Sequence, residues 1–112
     1  IYSHFGFHDF VILLGYKGYS IKEYFSDYFL HNSDVTFDFR GEDTKMMIHD
    51  HRVEPWTVTL VDTGLHTQTG GRVKRVREYL KGEPFFLTYG DGVGNVDIGE
   101  LLAFHKKHGK QC

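Results

Sequence analysis

Residues 9–14, DFVILL, form an unbroken apolar run closed by Gly15. A run of that length suits a strand buried on both faces. GYKG then turns the chain, and Ser20 and Glu23 stand three apart, the spacing of a capping box at a helix start. Behind them Ile21, Tyr24, Phe25, Tyr28 and Phe29 recur at i, i+3, i+4, i+7 and i+8, the pattern of a helix with one buried face. Strand, turn and helix in this order make half of a βαβ unit, so a parallel sheet with right-handed crossovers is expected.

The rest of the chain continues the alternation. WTVTLVD (56–62) is rich in β-branched residues and predicts a second strand. TGLHTQTGG (63–71) is a polar, glycine-containing loop, and RVKRVREYL (72–80) follows as a helix with Val73, Val76 and Leu80 on one face. PFFLTYG (84–90) predicts another buried strand. Asp97 and Glu100 form a second capping-box spacing ahead of Ile98, Leu101, Leu102 and Phe104. Between the first helix and the second strand, DVTFDF (34–39), GED (41–43) and TKMMIHD (44–50) suggest short strands or an irregular β excursion over 34–56. The expected fold class is α/β, with a partial three-layer α/β/α sheet.

Size and charge narrow the function. The 112 residues suit one compact domain at most, with 40% hydrophobic residues to fill a core. A formal net charge of -2 gives no electrostatic reason to expect a nucleic acid or an anionic membrane as partner. No apolar stretch approaches a membrane span. The single cysteine, Cys112, allows no internal disulfide, and a reducing cytoplasm is the expected compartment. Ile1 in place of Met, and an ending at HKKHGKQC, suggest a piece of a longer chain.

In open α/β sheets, ligands bind beyond the carboxyl ends of the strands. Two loops leave strands there. In the first, Asp91 stands between Gly90 and Gly92 at the end of the apolar run. A carboxylate on such a ledge suits a hard cation that also takes substrate phosphates and waters. An Asx-turn ending the strand explains the same pair of residues. In the second, TQTGGR (67–72) places two hydroxyls and two glycines ahead of a helix opened by Arg72. Such a start favours an anion, and arginine adds charge-assisted hydrogen bonds to phosphate. An ordinary cap by Thr69 with Arg72 in solvent is the alternative. The spacing is not that of a P-loop.

Other clusters carry less. His49 and His51, and His105 and His108, lack the spacing of a zinc site, so dispersed surface histidines are expected. Arg72, Lys74, Arg75 and Arg77 span under two helical turns, and a solvated helix face accounts for them. No nucleophile elbow is present, and Cys112 has no evident base partner.

Taken together, VEPWTVTLVDTGLHTQTGGRVKRVREYL and FFLTYGDGVGNVDIGELLAFHKKHGK resemble the sugar nucleotidyltransferase family, and within it the glucose-1-phosphate cytidylyltransferases. The upstream DFVILLGYKGYSIKEYFSDYFLHNSDVTFDF fits the same pattern, and the resemblance is weakest over 40–52. It implies a Rossmann-like sheet and a Mg²⁺-dependent reaction of CTP with glucose 1-phosphate, giving CDP-glucose and pyrophosphate. On the matching positions, Asp91 is implied as a metal ligand and catalytic residue, with Gly90 as a backbone neighbour of the nucleotide. Thr67 and Arg72 are implied as nucleotide contacts, Arg72 also as catalytic. The family's glycine-rich loop would precede Ile1 and its second metal aspartate would follow Cys112. Residues 1–112 are therefore expected to be part of a nucleotidyltransferase domain, inactive alone. A homo-oligomer is expected for the full-length protein. A uridylyl or thymidylyl transferase and a non-catalytic nucleotide-binding module remain as alternatives.

Overall fold

A computed structural model describes residues 1–111, with the side chain of His51 and all of Cys112 outside the described set. The architecture is mixed α/β. A 3₁₀ turn, Tyr2–Phe5, leads into β1 (Asp9–Leu14) and α1 (Gly18–His31). There follow β2 (Ser33–Asp38), β3 (Lys45–His51), β4 (Thr57–Asp62), α2 (Thr69–Arg75), a second 3₁₀ turn (Arg77–Leu80) and α3 (Ile98–His108).

β1 and β4 pair in parallel, from Asp9 opposite Thr57 to Leu14 opposite Asp62. The crossover between them holds α1 and an antiparallel hairpin of β2 and β3. The weakly alternating residues of the 34–56 excursion thus become a two-stranded ribbon. Its register slips between Ser33 and Asp34, where Asp50 takes a positive φ of 31°.

Several expectations change in detail. β1 is half-buried along most of its length, and only Leu14 is fully enclosed, because it has one strand neighbour rather than two. α1 begins two residues before Ser20, with Lys17 in the left-handed region and no side-chain cap. The Ser20–Glu23 capping box is therefore not formed: Ser20 already lies inside the first turn, its N–H donating to the Lys17 carbonyl at 3.0 Å. Of the predicted apolar face, Phe25 and Tyr28 are half-buried, while Ile21, Tyr24 and Phe29 are exposed. Tyr28 stacks on Trp56 at 6.0 Å and Phe10 meets the same indole edge-on at 6.1 Å, which seats α1 beside the start of β4.

The helix expected over 72–80 starts earlier, at Thr69, and breaks at Val76 into the 3₁₀ turn. At α3 the expected cap is present in half: the Asp97 carboxylate accepts the Glu100 N–H at 2.8 Å.

The largest departure is at 84–90, which forms no strand. A strand needs a ladder partner for its N–H and C=O groups, and among the described residues none pairs with this run. Phe86 alone is half-buried, held by Tyr2 at 5.4 Å and Phe7 at 5.1 Å. Among the described residues, the fully buried apolar ones are Leu14, Val76 and Ile98. The Cα radius of gyration is 18.4 Å, with extents of 63 × 33 × 25 Å. A compact domain of this length has a radius of about 13 Å, so the described fold is more extended than that. No helix among the described residues is long and apolar enough to cross a membrane.

Candidate functional site

Parallel pairing brings the exits of β1 and β4 side by side, and the Leu14 carbonyl becomes their meeting point. It accepts the Thr63 N–H at 2.9 Å, the Thr63 hydroxyl at 2.8 Å and Nη1 of Arg72 at 2.9 Å. Thr63 is fully buried, with 0% exposure, so its hydroxyl needs partners on both sides. It has them: the same oxygen that donates to Leu14 accepts from Arg72 Nη1 at 2.7 Å. Beyond it the Gly64 N–H closes a turn onto the Asp62 carboxylate at 2.9 Å.

Two arginines from α2 tie this segment down. Arg72, half-buried, also donates through Nη2 to the Leu65 carbonyl at 3.2 Å. Arg75, one turn on, donates to the Thr63 carbonyl. The expectation of a solvated basic face fails for Arg72, which is half-buried, whereas Arg75 stays exposed and still reaches the Thr63 carbonyl. The exits of β1 and β4 offer carbonyls and a hydroxyl within their reach, and burying those acceptors unpaired would cost more than turning a guanidinium inward.

Two glycines make the approach possible. A Cβ on Gly15 would lie 2.6 Å from Arg72 Nη1, so Gly15 leaves the space the guanidinium fills. Gly64 has a φ of +89°, and a Cβ there would lie 2.6 Å from Arg75 Nη1 and 2.9 Å from the Thr67 hydroxyl. The Thr67 methyl abuts Gly71 from the other side, 2.9 Å from where its Cβ would stand. Thr67 is thus wedged between the loop and the first turn of α2. Gly70 and Gly71 belong to that turn, with Gln68 rather than Thr69 at the N-cap and no side-chain cap bond.

A shallow cleft of about 240 Å³ opens beside the same strand ends, lined by Leu14, Gly15, Gly18, Tyr19, Lys22 and Asp62. Sequence reading did not single out Lys22 or Asp62. The available signal was the position of Asp62 at the end of a strand, the same argument that selected Asp91.

Asp91 lies in the exposed turn closed by the Gly92 N–H on the Tyr89 carbonyl at 3.2 Å. Its carboxylate has no hydrogen-bond or ion-pair partner among the described residues. Gly90 faces open space, with nothing within 4 Å of a Cβ placed there. Neither Gly90 nor Gly92 takes a positive φ, so the glycines leave room rather than permit a special backbone turn. The two loops meet at one contact, Thr69 Oγ1 to the Tyr89 hydroxyl at 3.5 Å, three residues from Arg72 and two from Asp91.

Among the described residues, no three His, Cys, Asp or Glu side chains converge on a common point. His49 Nε2 lies 3.0 Å from the Thr36 hydroxyl, and the His105 and His108 rings meet edge-on at 5.3 Å. The side chain of His51, and Cys112, fall outside the described residues.

No protein-family model matches the chain. Curated relatives do. Over 113 aligned positions, which take in all of this chain, it is 58% identical to the glucose-1-phosphate cytidylyltransferases of Salmonella typhimurium and Salmonella typhi. A probable glucose-1-phosphate cytidylyltransferase of Bacillus subtilis is 38% identical over 97% of the chain. The chain spans 43% of the length of the Salmonella proteins and 42% of the Bacillus one. The resemblance drawn from the motifs thus extends to an alignment over the whole chain.

Proposed function

We propose that these residues are part of a glucose-1-phosphate cytidylyltransferase. The observation that carries this reading is the 58% identity over all 112 residues to proteins of that name. The parallel strand ends with their arginine-tied loop agree with it, since that is where an α/β sheet takes its ligand.

In the proposed reaction the phosphate oxygen of glucose 1-phosphate attacks the α-phosphorus of CTP. The α–β phosphoanhydride bond breaks, pyrophosphate leaves, and CDP-glucose remains. Such transfers are accelerated mainly by alignment and charge neutralisation. Arg72 serves alignment first, because its bonds to Leu14, Thr63 and Leu65 hold the loop. Its Nε–H and second Nη2–H, with no partner among the described residues, are left for a phosphate or base oxygen. Thr67, fixed between Gly64 and Gly71, presents its hydroxyl from the same loop. The open face at Gly90 lets a nucleotide approach the backbone.

Asp91 fits one oxygen-ligand position of Mg²⁺, being an exposed carboxylate that no protein cation engages. When bound, that ion neutralises phosphate charge. One carboxylate is not a complete protein ligand set, so the remaining positions fall to phosphate, water or residues elsewhere in the protein.

The reading is tested by assaying the complete protein that carries this chain with CTP, UTP and dTTP, each with glucose 1-phosphate and Mg²⁺. Preferential pyrophosphate release with CTP is expected. Equal use of the three would remove the cytidylyl assignment, and nucleotide binding without turnover would remove the catalytic one.

A further inference from the structure

Arg75 is exposed, as expected of a helix-face cation, but its guanidinium also donates to the carbonyl of Thr63, the residue at the centre of the strand-exit network. Its guanidinium occupies the space beside Gly64, whose φ of +89° is itself open mainly to glycine. Arg72 holds the hydroxyl of Thr63 and the carbonyl of Leu65, while Arg75 holds the carbonyl of Thr63 between them. The arginines stand at i and i+3 on α2, so one face of one short helix clamps three consecutive residues of the loop. The Thr67 hydroxyl packs against Gly64, the residue Arg75 covers, so its placement depends on that turn.

We infer that Arg75 is a positioning residue: it fixes the 63–67 turn from behind and thereby sets the affinity for the nucleotide without touching it. The inference rests on the cytidylyltransferase reading for the identity of the nucleotide, but not for the behaviour of the loop.

The experiment compares Arg75→Ala and Arg75→Lys with Lys74→Ala in the complete protein. Lys74→Ala removes the same charge from the neighbouring position, which is likewise exposed but has no side-chain partner among the described residues. Hydrogen exchange of the Thr63 and Gly64 amides without nucleotide is the first readout, and KM for CTP against KM for glucose 1-phosphate and kcat is the second. Arg75→Ala should speed exchange at both amides and raise KM for CTP about tenfold, as expected for loss of one charged hydrogen bond. KM for glucose 1-phosphate should stay within twofold. Arg75→Lys, with one donor and the charge retained, should recover most of the loss and leave about a threefold rise. Lys74→Ala should match the wild type.

Unchanged exchange in Arg75→Ala overturns the inference, whatever nucleotide the protein uses. So does a parallel loss in both KM values and kcat with a lowered melting temperature, which marks general destabilisation. If Arg75→Ala does not fold, Arg75→Lys decides: wild-type exchange and wild-type KM for CTP overturn the proposal. A wild-type protein that ignores CTP removes the function proposed above while the exchange comparison still stands.

Discussion

The turn at 62–67 and the run at 84–97 both carry residues selected for nucleotide chemistry, and the two could hardly be held more differently. In the first, Thr63 has no exposure, and its N–H, hydroxyl and carbonyl all have protein partners. In the second, Leu87 is 59%, Tyr89 70% and Val93 88% exposed, and the Asp91 carboxylate has no partner among the described residues. The first turn draws its partners from β1, β4 and a helix that starts two residues after it ends, at Thr69, so the chain assembles it from close at hand. The second needs a neighbouring strand that the described residues do not supply. A site can thus have one half pre-organised by local chemistry and the other half dependent on further pairing.

The sharpest way to separate the halves is Asp91→Asn in the complete protein. Turnover should fall by roughly a thousandfold, while the melting temperature stays within a degree, because the carboxylate supports no fold contact. Near-normal turnover would reduce Asp91 to a turn residue and leave the 62–72 side alone as the site. Hydrogen exchange in the 112-residue chain should then separate the two regions by about a hundredfold or more: amides of 57–62 protected by the ladder, those of 85–90 exchanging as open chain. Equal protection would mean that 84–90 finds a strand partner in solution.

On the ordered side, Thr63→Val keeps the shape and removes the bridging hydroxyl. It should cost roughly 1–3 kcal/mol in urea unfolding, because Arg72 loses an acceptor inside a half-buried cluster. On the open side, Asp97→Ala should cost about 1 kcal/mol by freeing the capped Glu100 N–H at the start of α3. A smaller cost at Thr63 than at Asp97 would reverse the ranking of the two regions.

The smallest effect lies in the β2–β3 hairpin, outside both. Asp38 titrates below the ordinary 3.8, chiefly because the Arg40 side chain donates to its carboxylate, and secondarily through the Arg40 backbone N–H. A carboxyl lowered in the folded state stabilises above its unfolded value, and that contribution disappears as pH falls through the lowered folded value. Arg40→Ala should return the Asp38 midpoint, followed by carboxyl NMR, toward 3.8 with little change in melting at neutral pH.

Much of the secondary structure was legible because it rests on local rules. The apolar block DFVILL and the β-branched TVTLV became paired strands, and Asp97 became a cap. Reading failed where a neighbouring turn, a missing partner or a distant acceptor decided the outcome. The spacing of Ser20 and Glu23 suggested a cap, but the turn from Gly15 to Gly18 started the helix earlier. The apolar run 84–90 met the pattern of a strand and remained unpaired, since periodicity states which face is greasy and not whether a partner lies beside it. Arg75 looked like any exposed helix cation, because nothing in RVKRVREYL shows where the Thr63 carbonyl will be.

By itself, the sequence determined the first strand and helix, the strand at 57–62, the glycines at positions 15 and 64, and the similarity to the cytidylyltransferases. These depend on residue type and spacing, which a chain carries before it folds. The tertiary structure alone decided that Arg72 and Arg75 donate to the loop and that Thr63 is its buried centre. Parallel pairing of β1 with β4 creates those acceptors, 49 residues apart at Leu14 and Thr63, and no local pattern encodes a hydrogen bond across that distance.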